Sequence, residues 1–144
     1  MRVMVIVKAS KDSEAGVLPP KELFAAMGKY NEELAKAGVM LAADGLRPSS
    51  AGKRVRFNEG QHLVTDGPFA ETKELIGGFW IWRVKSMEEA VEWLKKAPFG
   101  GGAEIEIRQF HEAEDFEPAL TLEMKEQENH LRAESERRAN GASK

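Results

Sequence analysis

Apolar side chains fill both odd and even positions of the run Arg2-Val3-Met4-Val5-Ile6-Val7-Lys8. Side chains alternate across a strand, so this pattern predicts a strand buried on both faces. Residues 12–16 read as a polar connection. Pro19-Pro20 then opens a helix in which Leu23, Met27, Tyr30 and Leu34 recur at helical spacing, with Phe24 beside them and Gly38 as the C′ residue. A second apolar strand follows over 39–43, and Asp44-Gly45 begins a loop carrying Pro48, Ser49 and Ser50. Residues 53–57 and 61–65 face each other across Asn58-Glu59-Gly60 as a hairpin. Asp66-Gly67-Pro68-Phe69 is turn chemistry, and residues 70–75 are polar and irregular. Gly77-Gly78 releases the strand 79–84, again apolar on both faces. Ser86 and Glu89 form a capping box for a helix carrying Met87, Ala90, Val91 and Leu94. Pro98 and the glycines at 100–102 stop it, and residues 104–110 alternate like a strand with one solvated face at a sheet edge.

Strand, helix, strand, hairpin, strand, helix, strand reduces to two strand–helix–strand halves. That order predicts an α+β, ferredoxin-like antiparallel sheet with two helices on one face and an inserted hairpin. Two helices cover one face only, yet the strands at 3–7 and 79–84 are apolar on two. Each large side chain left bare there would forgo about 1.5–3 kcal/mol. The simplest cover is a second copy of the sheet, giving a twofold homodimer; the rival is the C-terminal helix folding back.

Composition narrows the picture. The length of 144 residues suits one domain of ordinary size over 1–118, followed by an extra C-terminal helix over 119–144. That extension holds five basic and five acidic residues, so the net charge of −3 belongs to residues 1–118. Leu120, Met124 and Leu131 give it a thin apolar stripe, and Glu128 stands four residues before Arg132. With no cysteine there is no disulfide, thiol catalysis or thiolate metal site. No apolar run approaches a membrane span, the first fifteen residues lack a signal-peptide layout, and the acidic balance points away from nucleic acid. The expectation is a cytoplasmic protein with no membrane or nucleic-acid partner.

One segment is more specific. Val64-Thr65-Asp66-Gly67-Pro68-Phe69-Ala70-Glu71-Thr72-Lys73-Glu74, followed by Gly77-Gly78-Phe79, resembles the signature of the DGPF branch of the YCII-related proteins. The resemblance runs over residues 1–110 and leaves out the tail beyond Phe116. It implies a dimeric α+β barrel. It also implies gene neighbourhoods with extracytoplasmic-function sigma factors and a pocket of polar residues suspected of enzymatic activity. Wider YCII-related proteins can carry a histidine in the first helix acting with an aspartate; this chain has none between Pro20 and Gly38.

Asp66 either caps its own turn or serves as a general base or ligand-binding carboxylate. Lys73 is the nearest cation in sequence to orient it, and Glu71 completes the catalytic candidates. Glu74 reads as part of a solvated charged run. His62, just before the motif, is the histidine placed to approach Asp66, and Phe69 lies within the motif itself. His111 stands among acidic residues without metal-ligand spacing, so no metal and no cofactor are expected. Trp80 and Trp82 share one strand face, opposite Phe79, Ile81 and Arg83. They pack a core or wall a small-molecule pocket. Arg83 binds a ligand anion or pairs with Glu104 or Glu106. Two functions remain open: a small-molecule-binding dimer with cofactor-free acid/base activity, or an accessory protein whose charged tail meets a protein partner.

Overall fold

The structure, a computed structural model, describes residues 1–141, so the last three positions of the expected extension lie outside the described residues. The chain divides into two units, one ending at Phe110 and one beginning at His111.

The first unit contains β1 (Arg2–Lys8), α1 (Lys11–Glu14), α2 (Lys21–Lys36), β2 (Met40–Gly45), β3 (Lys53–Asn58), β4 (Gln61–Asp66), β5 (Ile76–Arg83), α3 (Met87–Lys95) and β6 (Ile105–Gln109). Four strands form one antiparallel sheet in the order β2-β5-β1-β6, the ferredoxin-like arrangement, and β3-β4 stand apart as a hairpin. The second unit holds α4 (Leu122–Gly141), on which Leu122, Met124 and Leu131 are exposed and Arg132 pairs with Glu128 at 3.0 Å.

Cross-strand register sorts the sheet into two faces. Val3 pairs with Trp82, and Val5 with Trp80 and Ile107. These residues share a face and pack with Tyr30 and Leu34 of α2 and Ala90 of α3 in the core. On the other face Met4 pairs with Ile81 and Ile6 with Phe79. Ile6 is buried there, while Met4, Phe79 and Ile81 are half-buried.

Local chemistry sets the element ends. Gly38 takes φ +72, donating its N–H to Ala35, while Val39 N–H reaches Leu34 O. This double bond is a Schellman stop, and it brings Val39 onto Leu34 in the core. Four expectations need correction. Residues 11–14 are a single helical turn rather than a plain connection, because Ser10 and Ser13 cap each other reciprocally. Gly77 and Gly78 lie inside β5, with Gly77 as the extra residue of a bulge opposite β1. The capping box of α3 is displaced: Ser86 Oγ accepts from Glu89 N–H, but the Glu89 carboxylate accepts from Lys85 N–H at 2.6 Å instead of Ser86. Phe24, expected near the core, is 56% exposed.

Tyr30 ties the two covering helices together by donating its hydroxyl to Trp93 O at 2.7 Å. Burial, reinforced by the charge of Glu33, pushes this phenol up to about 12. Its neutral form is favoured in the folded state. Its contribution is therefore complete below pH 10 and is lost as pH rises from 10 to 12. Urea titrations across that window should show Tyr30→Phe losing stability less steeply with pH than the wild type. Equal slopes would refute the assignment.

Candidate functional site

The helix-covered face of the sheet runs out of side chain toward one end. Along β5 the row of Val3, Trp82 and Met40 gives way to Val5, Trp80 and Ala43, and then to Val7, Gly78 and Gly45. In that last row Val7 alone carries a side chain. What remains is a cavity of about 340 Å³, floored by Ala43, Gly45 and Gly78 and walled by Trp80, Met27 and Phe99. That volume lies at the small end of ligand pockets and suits a molecule of one ring.

The wall is aromatic and held in place. Trp80 is only 5% exposed, with Tyr30 and Phe99 both edge-on at 6.0 Å between ring centroids. Its Nε1 donates to Asn31 Oδ1 at 2.8 Å. An indole nitrogen can only donate, so the Asn31 amide must turn its oxygen to Trp80. The two N–H donors of Nδ2 then have no protein partner among the described residues. An apolar hollow with one oriented pair of donors can hold a flat molecule by a carbonyl, phenolic or carboxylate oxygen. Asp44 borders the β2 side, but it pairs with Phe79 in register, so its carboxylate belongs to the opposite face of the sheet.

The turn motif performs a different task. Asp66 ends β4 and forms an ion pair with Lys53, its cross-strand partner on β3, rather than with Lys73; its side chain is 73% exposed. Gly67 N–H donates to Gly52 O, and Phe69 N–H donates to Ser49 Oγ, each at 3.0 Å. Ser49 in turn donates its own N–H to the Glu14 carboxylate at 2.9 Å and its hydroxyl to the same group. The Arg54 guanidinium lies 3.9 Å from the Phe69 ring centroid and reaches Glu71 Oε2 at 3.4 Å. Asp66, Phe69 and Glu71 are thus parts of a clasp holding the hairpin base to α1 and the turn after β2.

The other named residues are scattered. His62 sits beside the hairpin turn, edge-on to Phe57 at 4.9 Å, about 13 Å along β4 from Asp66. Trp82 is fully enclosed in the core, with no hydrogen-bond partner for Nε1 among the described residues. Arg83 is exposed opposite Arg2 on the other sheet face. Glu106, an expected partner for it, contacts Lys8 at 3.8 Å and Arg108 at 3.7 Å. Lys73 has no ion pair among the described residues and borders two further cavities near Ser10. His111 lies 3.8 Å from Asp115 in the second unit. No described helix is long and apolar enough to cross a membrane.

The sequence profile of the YCII-related domain matches residues 1–114. The chain belongs to the YCII-related family. An uncharacterized protein of Rhizobium meliloti (strain 1021) is 35% identical over 86 residues, covering 60% of this chain and 64% of that relative. The YCII-related chain therefore spans under two thirds of that relative's length. Among solved structures it is similar to 5-chloro-2-hydroxyhydroquinone dehydrochlorinase (TftG) from Burkholderia phenoliruptrix AC1100, in complex with 2,5-dihydroxybenzoquinone. The two share 19% identity over 79% of this chain and 98% of the other, with a TM-score of 0.38.

Within this YCII-related domain, Asn31 escapes a reading of the sequence. Asn31 carries a visible mark: it falls between Met27 and Leu34 on the inward stripe of α2, where a polar residue needs a partner. Gly45 and Gly78 matter by what they lack, and only their pairing in register reveals it.

Proposed function

We propose that this YCII-related chain is a small-molecule-binding protein of the DGPF type, working as a homodimer. Its ligand is a flat, mostly apolar molecule that presents an oxygen to Asn31. One observation carries the reading: the hollow over Ala43, Gly45 and Gly78 is walled by Trp80, whose hydrogen bond to Asn31 leaves the amide N–H pair to a ligand. Its chemistry would be cofactor-free. The Asn31 donors hold negative charge developing on the bound molecule's oxygen.

The test fills the hollow. A Cβ built on Gly45 meets nothing within 4 Å, and its φ is not in the left-handed region. Gly45→Val therefore places a β-forming side chain into empty space, so its own melting temperature should equal or exceed that of the wild type. Single-ring phenols and carbonyl compounds are then screened by thermal shift. A ligand present at about 100 times its dissociation constant adds about 2.7 kcal/mol to wild-type stability, and Gly45→Val should show no shift with the same compounds. Hits that stabilise Gly45→Val as well as the wild type would defeat the proposal.

A further inference from the structure

The floor of the hollow does not stop at Gly78. In register the same row continues from Gly45 and Gly78 through Val7 to Ile105, crossing all four strands. Three strand spacings make this row about 14 Å long. Val7 and Phe99 line the hollow on one side and, on the other, a second cavity of about 540 Å³ that Ile105 floors. The two spaces are ends of one trough with contrasting chemistry. The Trp80 end offers one amide and otherwise apolar walls. The far end is lined by Lys8, Lys73, Glu104 and Ser10.

Most of these polar groups are already engaged. Lys8 contacts Glu106 at 3.8 Å, and Ser10 Oγ accepts from Ser13 N–H at 3.1 Å. Glu71, the carboxylate two residues from Lys73, is taken by Arg54. Lys73 is exposed and carries no ion pair among the described residues. It also borders a neighbouring cavity lined by Lys11, so cations meet at this junction, opposed by Glu104 on the β6 side.

Resting on the reading above, we propose that the trough takes an elongated, amphiphilic acid. Its flat apolar end occupies the Gly45–Gly78 hollow, and an anionic group at the far end pairs with Lys73. This assigns the one lysine of the turn motif to recognition, where neighbouring Phe69 and Glu71 serve the clasp.

The probes are 6-phenylhexanoate and 6-phenylhexan-1-ol, which share ring and length and differ in charge, titrated by calorimetry into the full chain. The wild type should bind the acid about tenfold more tightly than the alcohol, the size of one charge-assisted contact. Lys73→Gln should bring the acid to the level of the alcohol and leave the alcohol unchanged, and Lys73→Arg should keep the preference. Gly45→Val should lose both probes. If Lys73→Gln leaves the acid-to-alcohol ratio unaltered while Gly45→Val abolishes both, the anionic end is overturned and the hollow stands. If Gly45→Val still binds both, the hollow and the trough fall together.

Discussion

Gly67→Ala is expected to release the hairpin from the body of the domain. A Cβ at Gly67 would lie 1.8 Å from the Ser49 carbonyl oxygen and 2.6 Å from its carbon. Neither atom can retreat easily. Ser49 O already accepts from Gly52 N–H at 2.9 Å, and the Ser49 backbone and hydroxyl are both bound to Glu14. The chain must therefore separate, which sacrifices the bonds from Gly67 N–H to Gly52 O and from Phe69 N–H to Ser49 Oγ. Two such bonds contribute about 1–3 kcal/mol. The loss should appear in urea unfolding, with faster amide exchange at Phe69 and earlier proteolysis over residues 46–75. The same exchange at Gly28, inside α2 with nothing within 4 Å of an added Cβ, should stabilise by about 0.5–1 kcal/mol. Opposite signs from one methyl group isolate the close approach as the cause. A Gly67→Ala protein as stable as the wild type, with Phe69 still protected, would refute the clasp.

Much of this fold is legible in the sequence because its signals are local and repeated. The doubly apolar runs of β1 and β5, the α2 stripe ending at Gly38, and the alternation of β6 each rest on several residues that agree. The hairpin shows where legibility stops. Read with Asn58-Glu59-Gly60 as its connection, the strands pair Phe57 with Gln61 and Lys53 with Thr65. The structure has a two-residue loop with Gly60 at φ +79, so Phe57 faces His62 and Lys53 faces Asp66. A slip of one residue exchanges every partner and every face. That slip hides the cation beside Asp66 and leaves Lys73, merely near in sequence, as the apparent candidate.

The hollow is hidden for a deeper reason. Motif reading looks for side chains that do something, whereas this space exists because Ala43, Gly45 and Gly78 do little. Two glycines that look like the release before a strand are its floor. The most distinctive segment of the chain, Asp66-Gly67-Pro68-Phe69, then acquires a mechanical meaning. It needs a residue without Cβ where the chain crosses Ser49, and an aromatic ring under Arg54. Hollow and signature lie apart in this domain.

The hairpin itself leads to the last expected result, the loss of the dimer in Val64→Glu and Phe57→Glu. Val55 with Val64 and Phe57 with His62 form one face of β3-β4, and in the protomer Val55, Val64 and Phe57 are 50%, 55% and 79% exposed. A lone two-stranded hairpin is at best marginally stable in water, and this one carries its apolar residues outward. A second copy covering that face explains both features. A twofold interface is self-complementary, so each substitution appears twice in it. A carboxylate at position 64 would be taken from water into an apolar contact without a partner, at a cost of several kcal/mol per charge. Each 1.4 kcal/mol weakens association tenfold, so dissociation should be complete at micromolar concentration. Because both side chains are exposed in the single copy, the variants should keep native circular dichroism and thermal unfolding that no longer depends on concentration. Sedimentation velocity decides: a dimer for the wild type and a single protomer for either variant. A wild type that sediments as one protomer, or variants that remain paired, would remove the second copy from this face.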